Sequence, residues 1–295
     1  MLNIQSKIKG ALYGFAIGDA MGATTEFMNE NSIKSKYGKV TDIIGGGWLK
    51  LQPGEVTDDT QMTLCVCDAI EYGFGEKRMW SAREHESKEA AMLDRCCENF
   101  VDWYLSNPPD IGCCISNVIS KGIATPKHDV WSSIASNPDS LGNGSLMRTM
   151  PIILSGLSKE TAMLQGRLTH NNKTCDIAIE LYYENLMAIL NGDDFRNPAS
   201  KPINNSGHVI HTLNNALYYT QATRTFEEAI IKAVNAGGDA DTIAAITGSL
   251  VGALYGYEAI PQRWIDQLDP VVKKQINYYA KIFEKIYKKV CTNTK

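Results

Sequence analysis

The sequence predicts an all-α protein built as one domain, and three observations carry that expectation. Apolar residues recur at spacings of three and four rather than two along most of the chain, which is the period of helices. Two glycine series at four-residue spacing, Gly10-Gly14-Gly18-Gly22 and Gly248-Gly252-Gly256, run through apolar stretches. Two acidic stretches, Thr57-Asp58-Asp59-Thr60 and Asp239-Ala240-Asp241-Thr242, each open an apolar run in opposite halves of the chain, so neither half would work alone. With 44% hydrophobic residues among 295, the chain can bury a sizeable core.

Taken in order, the first helix is expected from about Asn3 to Ala23. Glycine inside a helix costs about 1 kcal/mol against alanine, so seven in two helices imply a close backbone approach, with the two stripes as the natural partners of one another. Residues 27–56 read as loop, with Gly45-Gly46-Gly47 beside Trp48 as a flexible rim and Pro53-Gly54 as a turn. A helix follows over 61–70, then a polar surface excursion over 73–88 carrying a short helix. Helices are expected over 90–105, where Asn107-Pro108-Pro109 stops the run, and over 111–123. Residues 125–141, with Pro126 and Pro138, read as a long loop. Beyond Ser145 the pattern is helical at 146–154, 159–168, 173–190, 208–220, 225–235, 241–255 and 270–290. The result is about a dozen helices around a single core, 1–295.

The acidic stretches invite two explanations. Asp and Thr at a helix start cap free N–H groups and suit the positive end of the dipole. Capping needs one such residue, however, and here the carboxylate is doubled at both places. Together the stretches offer four carboxylates and at least two hydroxyls, an oxygen-only set suited to hard cations and not to zinc. Two cations about 4 Å apart would relieve the crowding of four carboxylates better than one, while a single structural calcium is the plainer alternative.

Five ordered strings, GDAMGATTEF, GGGWLKLQPGEVTDDT, GNGSLMR, RLTH and GGDADT, resemble the ADP-ribosylglycohydrolase family from about Ile8 to Leu268. The likeness is greatest to its dinitrogenase reductase-activating branch. It implies a multi-helix fold with a dinuclear metal site and hydrolysis of mono-ADP-ribose from a protein side chain. The bond it points to is the N-glycosidic one to arginine. It also implies two divalent cations, Mg2+ or Mn2+, held by Thr57, Asp58, Asp59, Asp239, Asp241 and Thr242. Glu26, at the end of the GDAMGATTE string, and Asp110, in SNPPDIG, match the family's acid–base carboxylates; without that match Asp110 would read as a helix cap. Asn143 and Gly144, at a helix start suited to phosphate, and His170, in RLTH, match positions that contact ADP-ribose. Asp19 is read as supporting the ligands and Arg148 as bracing the acidic cluster. One departure stands out: relatives carry a GYVxDT-like helix start where this chain has Gly207-His208-Val209-Ile210-His211-Thr212, which leaves the acceptor open.

Composition narrows the partners. A formal charge of −4 gives no basic footprint for nucleic acid. No apolar run reaches the roughly 18 residues of a membrane span. Eight cysteines without a CxxC pair, seven in predicted helices, and no signal peptide lead to an expectation of free thiols in a reducing cytoplasm. The implied partners are an ADP-ribosylated protein, with a nitrogenase iron protein as the one the resemblance suggests, and the product ADP-ribose. Two rivals stay open: hydrolysis of a serine-, nucleobase- or small-molecule-linked ADP-ribose, and a non-catalytic ADP-ribose-binding relative. The second predicts missing ligand or acid–base positions, and none is missing.

Overall fold

The computed structural model describes residues 2–76, 87–202 and 204–292. Among these the chain is all-α, without a strand; isolated bridges include Gly46–Leu51 and Ser136–Asn171. The helices are α1 (Ile4–Gly22), α2 (Glu30–Tyr37), α3 (Asp58–Phe74), α4 (Lys88–Leu105) and α5 (Cys113–Gly122). Then come α6 (His128–Ile134), α7 (Met150–Leu154), α8 (Lys159–Arg167), α9 (Lys173–Asn191) and α10 (Val209–Gln221). The last are α11 (Phe226–Asn235), α12 (Ala240–Tyr255), α13 (Gln262–Gln267) and α14 (Pro270–Thr292), with 3-10 turns at Asn143–Ser145 and Tyr257–Ala259.

Side-chain caps set many of these starts. Asn3 accepts from the Ser6 N–H at 2.7 Å, Ser87 from Ala90 at 3.0 Å and Thr225 from Glu228 at 3.1 Å. Three helices depart from the sequence expectation. α2 lies in the stretch read as loop, α6 in the supposed loop 125–141, and α13 was not anticipated. The helix expected over 146–154 is confined to its second half, α7 at Met150–Leu154, and is preceded by the 3-10 turn at Asn143–Ser145. Most of the surface excursion expected over 73–88 falls on residues 77–86, outside the described residues.

The chain forms two units, Met1–Thr60 with Glu184–Ala280, and Gln61–Tyr183 with Lys281–Lys295. The first is organised on α1 and α12, both buried over most of their length. The pairs Gly10–Gly252, Gly14–Gly248, Gly18–Ala244 and Gly22–Ala240 show that the two helices run antiparallel. A Cβ on any of these α1 glycines would overlap the partner's carbonyl oxygen, so only glycine permits this spacing. Gly256 is not part of the seam; at φ +82° it ends α12. The buried Lys7 ammonium donates to the carbonyls of Ile189 (2.7 Å) and Leu190 (3.1 Å).

The second unit has its own core. Met92, Cys96, Cys97 and Phe100 of α4 are buried, as are Ile115 and Ile119 of α5 and Trp131 of α6. Trp131 stacks on Phe100 at 6.5 Å and donates from its indole to the Gly122 carbonyl at 3.0 Å. All eight cysteines are free, and burial pushes the Cys67, Cys96 and Cys97 thiols upward, as expected of packing groups. No helix among the described residues is long and apolar enough to cross a membrane.

Candidate metal centre

All six sequence-predicted ligand positions, with Glu26, fall within the first unit. Asp19, fully buried in the last turn of α1, accepts from the N–H groups of Thr57 (3.0 Å) and Thr60 (3.0 Å) and so caps the start of α3. Burial pushes its carboxyl up to about 6, against the pull of those hydrogen bonds. It therefore supports the stretch rather than extending it. With α3 capped from outside, the carboxylates of its first turn, Asp58 and Asp59, are not needed for that task.

The start of α12 is set differently. The Gly238 N–H donates to Met28 (2.8 Å), the Asp239 N–H to Asn205 (2.8 Å), and both Gly237 and Gly238 have positive φ. A Cβ on Gly237 would overlap the Met28 carbonyl, and one on Gly238 that of Asn205. Asp239 then occupies the N-cap without its side chain capping the helix. Thr242 donates from Oγ1 to Asp59 Oδ2 at 3.2 Å, which joins the two acidic stretches directly. Thr57 Oγ1 donates to the same oxygen at 3.4 Å. Glu26 and Asp241 each present a carboxylate oxygen, the two within 4.8 Å of one another.

These groups are withdrawn from water: Asp59 and Asp241 are each 2% exposed, and Asp239 is half-buried. Burial first, then the charges of Asp58, Asp19, Asp239 and Glu26, hold the Asp59 carboxyl well above its ordinary range. Burial, then Glu26, Asp59, Asp239 and Asp19, does the same to Asp241. Asp59 Oδ1 is buried with no hydrogen-bond partner. A cation would answer both the orphaned oxygen and the mutual repulsion, and an oxygen-only donor set fits a hard one.

The remaining predicted residues belong to the second unit. Asp110 lies two residues before Gly112, which is the N-cap of α5, so it does not itself occupy the cap position. Asn143 and Gly144 form the 3-10 turn. Arg148, expected to brace the acidic cluster, bonds its guanidinium to the Gly144 carbonyl and to Thr169 Oγ1 (2.8 Å), and lies over the Phe100 ring at 5.0 Å. It holds the loop in shape. His170, three residues past the end of α8 and 2% exposed, pairs through Nδ1 with Thr169 Oγ1 at 2.8 Å. Its ring lies against the glycines: a Cβ on Gly142 would be 3.3 Å from Nε2, and one on Gly144 3.0 Å from Cε1. Burial, then the Arg148 charge, lowers its pKa to about 3, leaving the imidazole neutral.

Two features of the first unit escaped the sequence. Trp48 donates from Nε1 to Glu26 Oε2, and the glycine triplet read as a flexible rim is what carries it there. Gly45, Gly46 and Gly47 all have positive φ; Thr24 Oγ1 donates to the Gly45 carbonyl at 3.0 Å and Gly46 bridges to Leu51. At the departure from the family pattern, His208 Nδ1 accepts from Ile210 and caps α10, while its ring lies 4.7 Å from that of His211. A Cβ on neighbouring Gly207 would be 3.8 Å from Asp239 Oδ1, so this helix start adjoins the acidic set.

An all-helical unit that gathers buried carboxylates and hydroxyls from two helix starts defines a candidate hard-cation centre. The family model for ADP-ribosylglycohydrolases matches residues 1–203 and 180–292 of the chain. The ADP-ribosyl-(dinitrogen reductase) glycohydrolase of Rhodospirillum rubrum is 31% identical over 295 residues, covering 93% of this chain and 94% of that protein. The ADP-ribosylarginine hydrolase Tri1 of Serratia proteamaculans is 32% identical over 297 residues, covering 89% and 75%. A solved structure of an ADP-ribosylglycohydrolase-related protein complex matches with a TM-score of 0.77 at 28% identity, over 96% of this chain and 99% of its own. The chain belongs to the ADP-ribosylglycohydrolase family, whose members act on ADP-ribose conjugates.

Proposed function

We propose that this protein is a divalent-metal-dependent hydrolase that releases mono-ADP-ribose from arginine on a modified protein. The observation that carries the reading is the junction of the two acidic helix starts, through Thr242 and Asp59, around a buried carboxylate oxygen that lacks a partner. Thr57, Asp58, Asp59, Asp239, Asp241 and Thr242 would hold two cations, Mg2+ or Mn2+. When bound, such ions orient ribose hydroxyls and polarise water.

The residues themselves would do the rest. One of Glu26 and Asp110 accepts the proton of the attacking water as its oxygen bonds to the anomeric carbon. The carbon–nitrogen bond breaks, and the departing guanidine nitrogen takes up the proton that the carboxylate received from water, giving ADP-ribose and unmodified arginine. The transition state is oxocarbenium-like, as in other glycoside cleavage. Asn143, Gly144 and His170 are the proposed ADP-ribose contacts, with Arg148 keeping their loop in shape. The likeness to the Rhodospirillum rubrum enzyme supports the dinitrogenase reductase-activating branch, with a nitrogenase iron protein as target. Free cysteines support a reducing, cytoplasmic setting. Because the ligand stretches come from both ends of the chain, we treat it as one functional domain.

The test is release of free ADP-ribose from arginine-ADP-ribosylated protein, with and without Mn2+ or Mg2+, beside a serine-linked substrate. Metal-dependent release from arginine supports the reading; release from the serine substrate alone would replace it. That second reading, another acceptor linkage, is favoured by one observation, the His208–His211 pair beside Asp239. Binding of ADP-ribose without release from either substrate would point to a non-catalytic relative.

A further inference from the structure

Immediately after Glu26 the backbone of Phe27 enters the left-handed region, at φ +60°, where a bulky residue is rare. Two hydrogen bonds hold it there: the Phe27 N–H donates to the Gly238 carbonyl at 2.7 Å, and the Gly238 N–H returns to Met28. Core packing does not explain the arrangement, because the Phe27 side chain is 69% exposed. Trp48, itself 48% exposed, meets it with ring centroids 5.5 Å apart and planes inclined at 46°. The Trp48 indole N–H is bonded to Glu26, whose carboxylate reaches to within 4.8 Å of Asp241. One exposed aromatic side chain is ordinary on a protein surface. Here two touch, and the clamp that orients the first belongs to the same segment that leads into Asp239.

We propose that Phe27 and Trp48 form a platform that binds the planar cationic guanidinium of the acceptor side chain. The inference rests on the proposed hydrolysis at the acidic cluster and adds residues that select its acceptor. Aromatic faces carry a negative quadrupole that attracts a cation, and guanidinium stacks flat on such rings. The carboxylates of Glu26, Asp239 and Asp241 reinforce that preference and disfavour an anionic occupant such as a diphosphate. Trp48 has a second part, since its N–H orients Glu26 while its ring contributes to the platform.

The test uses the full chain loaded with Mg2+ and three probes followed by calorimetry: agmatine as a guanidinium, N-butylurea as a neutral planar counterpart, and ADP-ribose. Wild type is expected to prefer agmatine to the urea. Phe27→Ala and Trp48→Ala should each weaken agmatine about tenfold and leave ADP-ribose within about twofold, which also shows that the variants are folded. Phe27→Tyr, keeping a ring, should retain agmatine binding. Equal binding of agmatine and urea by wild type, or agmatine affinity unmoved in both alanine variants, overturns the platform. Loss of ADP-ribose affinity with agmatine unaffected overturns it too, and makes the pair a shelf for the adenine. Turnover of the arginine-linked substrate by wild type is read separately, so failure of the hydrolase reading is distinguishable from failure of the platform.

Discussion

Replacing Glu26 by glutamine should make the metal-free protein more stable. Glu26 is 6% exposed and its carboxylate oxygen lies within 4.8 Å of one from Asp241. At an effective dielectric near 20, two full charges at that separation repel by about 3 kcal/mol. Asp241 answers by holding its proton more tightly, so the realised gain is smaller, about 1–3 kcal/mol near neutral pH. Glutamine keeps an oxygen to accept from the Trp48 indole. A chain of this size gains roughly 2–4 °C in Tm per kcal/mol, so the rise should be on the order of 2–12 °C. The sign depends on pH. Asp59 and Asp241 have folded pKa values above their unfolded ones, so the native state binds more protons. Their contribution therefore weakens as pH rises above the unfolded carboxylate range. Glu26→Gln should thus stabilise at pH 7.5 in EDTA and do little near pH 4.5. Thermal melts at both pH values check this. A lowered Tm in EDTA at pH 7.5, or an equal gain at both, would refute the idea that the cluster is strained by its own charge.

Three further outcomes are expected. Gly14→Ala should destabilise by about 1–3 kcal/mol or more through overlap with the Gly248 carbonyl, although alanine gains about 1 kcal/mol in an unconstrained helix; a denaturation midpoint at or above wild type would contradict the seam. Asp241→Ala should abolish turnover and the metal-induced rise in Tm, which for a bound ion at a hundred times its Kd amounts to about 2.7 kcal/mol; full turnover in EDTA would contradict it. His170→Gln should remove an acid sensitivity. His170 has a folded pKa of about 3, below its unfolded value of 6.5, so its contribution is lost as pH falls below 6.5. At pH 5 that amounts to about 2 kcal/mol, read as a narrowing gap between wild type and variant in chemical denaturation on acidification.

The sequence made much of this molecule legible because its signals were local or doubled. Four-residue glycine spacing announced a close approach, and the structure pairs Gly10 with Gly252 and Gly14 with Gly248. Doubled carboxylates at two helix starts announced more than capping, and Thr242 reaches Asp59. What escaped had little periodic signature. α2 buries only Ile33 and α6 only Trp131, and a helix with a single inward residue leaves no stripe to detect. For α2 there was a signal, since Asn29 caps the Ser32 N–H just as Asn3 caps that of Ser6. Trp48 could not be assigned to Glu26, because its position depends on three successive left-handed glycines rather than on any repeat. Arg148 was read as a partner of acids because it is a cation; that it also bonds Gly144 and Thr169 is something no pairwise charge rule anticipates.

The glycine seam also bears on synthesis. α1 is complete at Gly22, but its partner begins only at Ala240. At about 5–20 residues per second, α1 emerges on the order of 10–45 s before α12 exists. A helix that carries four glycines is marginal alone, so it waits without the surface that fixes it. Asp58 and Asp59 wait with it for Asp239 and Asp241. Chains truncated before Asp239 should therefore lack both the seam and half of the acidic set, and should show no metal-induced rise in stability.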